Sequence, residues 1–340
     1  MSADYRETVV FQGVPRPRVL TSVGDETRML RESAGVCHLA GMCVVRMDGP
    51  DTTDYLHRRL SGNVKAMAVG ETRHTTLLTG EGRMISDLHL LREAETTYLA
   101  LAQPFVRQSL AQQIERYVIM ETVEVRDISD DVTVIGVYGP RAGAVVSALD
   151  EAGLDPAALT VLSPWSDLGG AGIAVCATNA LATKLSKLLT EAATAVNGGM
   201  CGHDAWDAVR VAEAVPLFGA DMTEATIPLE AGLDAAIDFD KGCFPGQEVV
   251  ARIRNLGHPA KVLVQLEFDE ASGVAPGDVL RAGDRTLGGL TSVSGHGAGR
   301  CLALGYVKWD HREPGTRVEC VSAAGVAHGH ILRLAGSATR

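Results

Sequence analysis

The sequence predicts an α+β protein that ends in a small antiparallel barrel, and three observations predict it. Between residues 43 and 196, apolar runs of period two alternate with amphipathic stretches of helical period, a pattern of ferredoxin-like α+β layers. From Lys261 onward only the strand period remains, with Val262, Val264, Leu266 and Phe268 alternating and turns at Pro276–Gly277–Asp278, Gly283–Asp284 and Pro314–Gly315. The chain has 340 residues, 46% hydrophobic and 21% charged, enough for two or three cores.

In chain order, residues 1–23 read as an irregular lead-in and Asp25–Ser33 as a helix with Met29 and Leu30 turned inward. Cys43–Met47 reads as a strand. Gly49 and Pro50 then form a turn, Asp51 is an N-cap, and Tyr55, Leu56 and Leu60 follow at helical spacing; His57 beside them reads as a surface residue. Thr75–Leu78 and Ile85–Leu91 form a hairpin across TGEGR. Phe105–Tyr117 is predicted as a helix, Val132–Val137 as a buried strand, Ala142–Ala152 as a helix, Gly172–Ala177 as a strand and Ala180–Val196 as a longer helix. Strands recur near Val279, Leu287, Leu302, Arg317 and His328. The glycine clusters at Gly169 and Gly295 are not phosphate loops, because neither opens a helix.

Composition excludes several function classes. No apolar run approaches the roughly 18 residues of a membrane span, and the N-terminus carries early charges rather than an apolar signal region, so no membrane association and a cytoplasmic location are expected. A net charge of −11 argues against nucleic-acid binding, leaving only a local basic patch at Arg252, Arg254 and Lys261. The seven cysteines are scattered without a CxxC pair, so neither a disulfide framework nor a protein-held iron–sulfur centre is expected, and no metal site.

The chemistry-bearing stretch is DFDKGCFPGQEVVARIRNLG, residues 238–257. Ile237 and Phe239 alternate with Asp238 and Asp240 as in a half-buried strand. Pro245 and Gly246 suit a type II turn. Glu248 begins a helix that stops at Gly257 and Pro259, placing Cys243 at a loop tip beside Lys241 and ahead of a helix N-terminus. Both neighbours favour a reactive thiol. An unpaired cysteine also serves as a small buried hydrophobe, and local sequence leaves both readings open.

KGCFPGQEVVAR resembles the KGC(F/Y)xGQE motif of the YgfZ family, folate-binding relatives of the glycine cleavage T protein that support iron–sulfur enzymes. The resemblance extends upstream. Ser86 and Asp87 match two consecutive carboxylates of the T protein, so only Asp87 keeps a carboxylate, and methylene transfer is expected to be weak or absent. Glu213 matches the glutamate that the T protein's RLEAGxP element places on the pterin ring; Val211, Ala212 and Val215 depart from that element. IPLEAGL from Ile227 is similar as well.

The resemblance implies a T-protein/YgfZ-like three-domain cloverleaf around a folate channel. Its units would be residues 1–50 with 132–225 and 51–131 with 226–257, both ferredoxin-like, and the barrel 258–340. It implies tetrahydrofolate or another reduced folate as cofactor, with Glu213, Lys241 and Arg252 as binding candidates and Cys243 and Asp87 as catalytic candidates. The leading function it implies is support of iron–sulfur cluster assembly or maintenance through the Cys243 thiol, with iron–sulfur proteins or their assembly factors as partners. The alternative is a folate-dependent aminomethyl or one-carbon transferase, in which Asp87 positions or deprotonates the folate amine. A third class is an interaction protein that docks through the Cys243 loop without chemistry.

Overall fold

The computed structural model describes residues 7–150, 152–155, 158–170, 172–269, 273–294, 301–323 and 325–336. It is an α+β protein with two five-stranded sheets and a closed antiparallel barrel. Gly295 and the glycine cluster it opens lie outside the described residues.

The first sheet runs in the order Leu159–Trp165, Gly172–Thr178, Val132–Tyr138, Gly35–His38, Gly199–Met200. Only the last pair is parallel. On one face, helices Ala142–Ser147 and Ala182–Ala195 cover Val36, Ile135, Val137 and Val175. On the other, Val23–Glu32 and His203–Ala212 bury Leu30 and Trp206 against Tyr138, and that core continues into Val44, Leu99 and Leu101 of the second sheet.

The second sheet runs Thr72–Leu78, Met84–Arg92, Thr97–Ala102, Cys43–Asp48, Glu124–Asp127, all antiparallel. Cys43–Asp48, expected in the first unit, therefore pairs in the second sheet. Helix Thr52–Arg59 packs Tyr55 and Leu56 on its far face, and that core also takes in Phe244 and Val250. The expected helix Phe105–Tyr117 is only a single 3-10 turn at Pro104–Val106 and a short helix, Leu110–Glu115. Its apolar spacing misleads because Phe105 and Tyr117 face solvent. The expected lead-in contains a hairpin, Thr8–Phe11 with Val14–Pro17. Asp51 precedes its helix without capping it and instead accepts the Thr122 N–H at 2.7 Å.

The barrel closes through Lys261–Phe268, Cys301–Lys308, Arg285–Ser294, Val279–Ala282, Arg317–Ser322 and Gly325–Leu334. Its inward Val262, Val264, Leu266 and Phe268 are those picked out by alternation.

Candidate functional site

Alternation across the strand Met84–Arg92 divides its side chains between two environments. Ser86 is fully buried, and its hydroxyl donates to the Asp87 carbonyl at 2.5 Å. Asp87 and His89 line a cavity that Ser86 does not. Leu88, two residues on from Ser86, also reaches the cavity.

The hairpin register sets His74 opposite His89 and diagonal to Asp87. His74 Nε2 lies 3.0 Å from Asp87 Oδ2, and its ring stacks on His89 with centroids 4.8 Å apart. Asp87 Oδ1 is buried without a hydrogen-bond partner among the described residues. His89 packs on Trp165 at 4.2 Å and meets Ser166 Oγ at 3.3 Å. Burial, with His74 beside it, holds His89 well below the usual imidazole value, so it is neutral.

The first sheet supplies the second wall. Asp167 Oδ2 accepts the Tyr138 hydroxyl at 3.0 Å, and Tyr138 in turn accepts the indole N–H groups of Trp165 and Trp206 at 3.2 and 3.3 Å. Burial pushes Asp167 up to about 7, against the nearby Trp165 indole N–H and the Tyr138 hydroxyl, which favour its charge. Asp167 Oδ1, like Asp87 Oδ1, has no partner among the described residues.

Glu213 caps the helix His203–Ala212 and reaches the same cavity. Gly169 packs tightly there: a Cβ on it would stand 3.0 Å from both Glu213 Cβ and Val215 Cγ2, which gives this glycine a packing role. Glu213 is not free. Its Oε1 lies 2.7 Å from Arg31 Nη2 and its Oε2 3.8 Å from Arg333 Nη2, while Arg210 pairs instead with Asp207 and Asp221. The turn Gly232–Ala236 and Gly336 at the end of the barrel complete a cavity of about 370 Å³. That volume falls within the roughly 300–1,000 Å³ of small-molecule sites.

The other three sequence candidates do not line this cavity. Cys243 is the one exposed cysteine of the seven. Lys241 is buried, and its Nζ donates to the carbonyls of His57, of Leu60 at 2.6 Å and of Gly62 at 2.8 Å. Burial lowers it to about 8, so at neutral pH it still carries all three donors. Its charge is spent on backbone inside the second unit, which corrects the picture of an ammonium set beside the thiol. Arg252 is exposed on helix Gln247–Leu256.

The expected strand at Ile237–Asp240 does not form. Asp238 Oδ1 takes the backbone N–H groups of Asp240 and Lys241 at 2.9 and 3.1 Å, curling the segment into a turn. The type II turn does form: Gly246 has φ 80° and ψ −2°, and a Cβ there would meet Gly82 Cα and Thr79 O at 2.6 Å. Helix Gln247–Leu256 begins only after Gly246, three residues beyond Cys243. With Phe244 buried in the second core, the loop is clamped on both sides of an exposed thiol.

His74, His89, Trp165 and Asp167 were not singled out by sequence reasoning. One signal was present for His89, which shares a strand face with Asp87 two residues away.

Known proteins match this chain over nearly its whole length. It is 28% identical to the aminomethyltransferase of Streptomyces avermitilis over 90% of the chain and 87% of that protein. It is 27% identical to the aminomethyltransferase of Streptomyces coelicolor, with the same coverage. The crystal structure of the glycine cleavage system aminomethyltransferase T from Bartonella henselae superposes with a TM-score of 0.84 at 23% identity, covering 98% of this chain and 95% of that one, so the two share a fold. The GCVT N-terminal domain matches residues 1–178, more than half of the chain, and the protein therefore belongs to the GCVT N-terminal domain family.

Proposed function

We propose that the protein is a folate-dependent aminomethyl or one-carbon transferase whose site is the central cavity. The observation that carries this reading is the Asp87 carboxylate, held at Oδ2 by His74 and left without a partner at Oδ1. A buried acceptor without a donor costs about 1–3 kcal/mol, and an N–H of a bound ligand would relieve that cost. The aminomethyltransferase relatives point in the same direction.

Bound tetrahydrofolate would supply the nitrogen that accepts the one-carbon unit. Asp87 is suited to hold and move a proton at Oδ1 while His74 fixes the carboxylate's orientation. Neutral His89 and the Trp165 ring form an apolar flank that excludes water. Glu213 can accept paired N–H groups only by sharing or releasing Arg31, so folate binding through it is coupled to that ion pair. The test is turnover of an aminomethyl-carrying protein with tetrahydrofolate. Wild type should turn over and Asp87→Asn should not, and a wild type without turnover sinks the reading.

The second reading is the YgfZ-like one, support of iron–sulfur proteins through Cys243. It is favoured by one observation, the exposure of that thiol on a clamped loop while the other six are buried. It requires iron–sulfur enzyme activity to fail in cells carrying Cys243→Ser and to survive Asp87→Asn.

A further inference from the structure

Asp167 follows the strand Leu159–Trp165 and reaches the central cavity from the first sheet, whereas Asp87 reaches it from the second. The residue is 7% exposed, and its surroundings hold one oxygen only. Oδ2 accepts the Tyr138 hydroxyl, which is itself fixed by the indole N–H groups of Trp165 and Trp206, and Oδ1 has no partner among the described residues. Nor does an ion pair balance the carboxylate there. Arg16, the buried cation whose charge it feels, gives its Nε and Nη2 to the Ala40 carbonyl at 3.2 and 2.9 Å.

Asp167 belongs to a set. Among the buried side-chain atoms of the described residues that lack a hydrogen-bond partner, the carboxylate and amide oxygens are Asp87 Oδ1, Gln103 Oε1 and Asp167 Oδ1, and all three residues line this cavity. An ionised carboxylate accepts hydrogen bonds and cannot donate them. The described lining contains no lysine or arginine, so neither side chain supplies the missing donors. Bare acceptors on two walls therefore require N–H groups from a ligand, and a site built to pair an N–H rejects an analogue that lacks it.

That requirement separates the oxidation states of a folate, and at this step the inference rests on the folate reading given above. The pyrimidine end of the pterin, with its 2-amino group and N3–H, is the same in folic acid and tetrahydrofolate, and paired N–H groups of that kind suit Glu213. The other ring differs. Its N5 and N8 carry hydrogens in tetrahydrofolate and only lone pairs in folic acid. We propose that Asp167 is a ligand-contacting residue that selects the reduced ring, accepting at Oδ1 an N–H that folic acid lacks.

The test is calorimetric titration of the full chain at pH 8, without oxygen, with tetrahydrofolate and with folic acid. That pH lies above the value of about 7 to which burial raises Asp167, so the carboxyl is an acceptor. Wild type should bind tetrahydrofolate about tenfold or more tightly than folic acid. Asp167→Asn, which replaces one acceptor by a donor at the same size, should bring the two affinities within about threefold of each other. A residue that only braced the fold would weaken both ligands alike and leave their ratio unchanged. Should Asp167→Asn not fold, Asp167→Ser takes its place, and the wild-type ratio is read without any variant. Equal affinities in wild type, or an unchanged ratio in a folded variant, would overturn the role of Asp167 while turnover with tetrahydrofolate still upheld the folate reading. Binding of neither ligand would sink both.

Discussion

The central cavity and the Cys243 loop hold their polar groups in opposite ways. In the cavity, carboxylates are buried with one oxygen satisfied and the other not, as at Asp87 and Asp167. In the loop, the backbone of Asp240 and Lys241 and the Lys241 ammonium are satisfied, the turn at Gly246 is formed, and the Cys243 thiol is exposed. Unsatisfied buried acceptors mark a place prepared for a ligand, whereas a satisfied frame marks a part whose geometry must not move. A conspicuous motif can thus be held mostly by satisfied contacts, while the unpaired buried acceptors lie elsewhere in the chain.

The largest expected effect would break the comparison outright if it failed. Asp87→Asn should lower aminomethyl transfer by about 10²–10⁴-fold, the usual worth of a positioned acid or base, while Cys243→Ser stays within twofold. The reverse outcome in the same turnover assay would make the loop the reactive region.

The frame comes next. Gly246→Ala puts a side chain at φ 80° against Gly82 and Thr79 and should cost about 1–3 kcal/mol in denaturant unfolding. Lys241→Met strips the donor from three carbonyls and should cost a similar amount, about 1–3 kcal/mol or more. Because the ammonium is turned inward, the same variant should leave the rate of iodoacetamide alkylation at Cys243 within twofold. A wild-type melting curve for both variants would show that the loop is not a frame.

The cavity should reveal its strain through pH. Asp167 is raised from 3.8 to about 7 in the fold, so its contribution to stability is whole below about 3.8 and is lost as pH rises through 7. Asp167→Asn removes that titration. Its melting temperature relative to wild type should therefore climb between about pH 4 and 7.5, and a constant difference would disprove a strained carboxyl. Smallest of all, Cys243→Ser should change stability by no more than about 0.5 kcal/mol, since an exposed turn residue packs little.

Much of the architecture was legible because it depends on local period. The barrel strands, the hairpin through Gly82 and the helix after Gly246 follow from alternation and turn chemistry, and each formed where it was read. Phe105–Tyr117 failed because period alone does not say which apolar residues meet a partner. Ile237–Asp240 failed because one aspartate side chain captured the backbone donors that a strand would have used. Asp87 and Glu213 came from family resemblance, and both reach the cavity. Their neighbours were out of reach for a different reason. His74 meets Asp87 only through hairpin register, and Asp167 and Trp165 arrive from another sheet, so no local pattern joins them.

Gly336 belongs to the wall of the cavity, and its close approach to Gly232 permits neither residue a side chain: a Cβ on Gly336 would stand 1.9 Å from the Gly232 oxygen and one on Gly232 2.1 Å from the Ala335 oxygen. The cavity is therefore not complete until the strand Gly325–Leu334 has paired with its two barrel neighbours. During synthesis the two sheets leave the ribosome first, so the cavity gains its last wall only after the end of the barrel has emerged and paired. A ligand that touches this wall would therefore stabilise the closed barrel together with the cavity, by mass action.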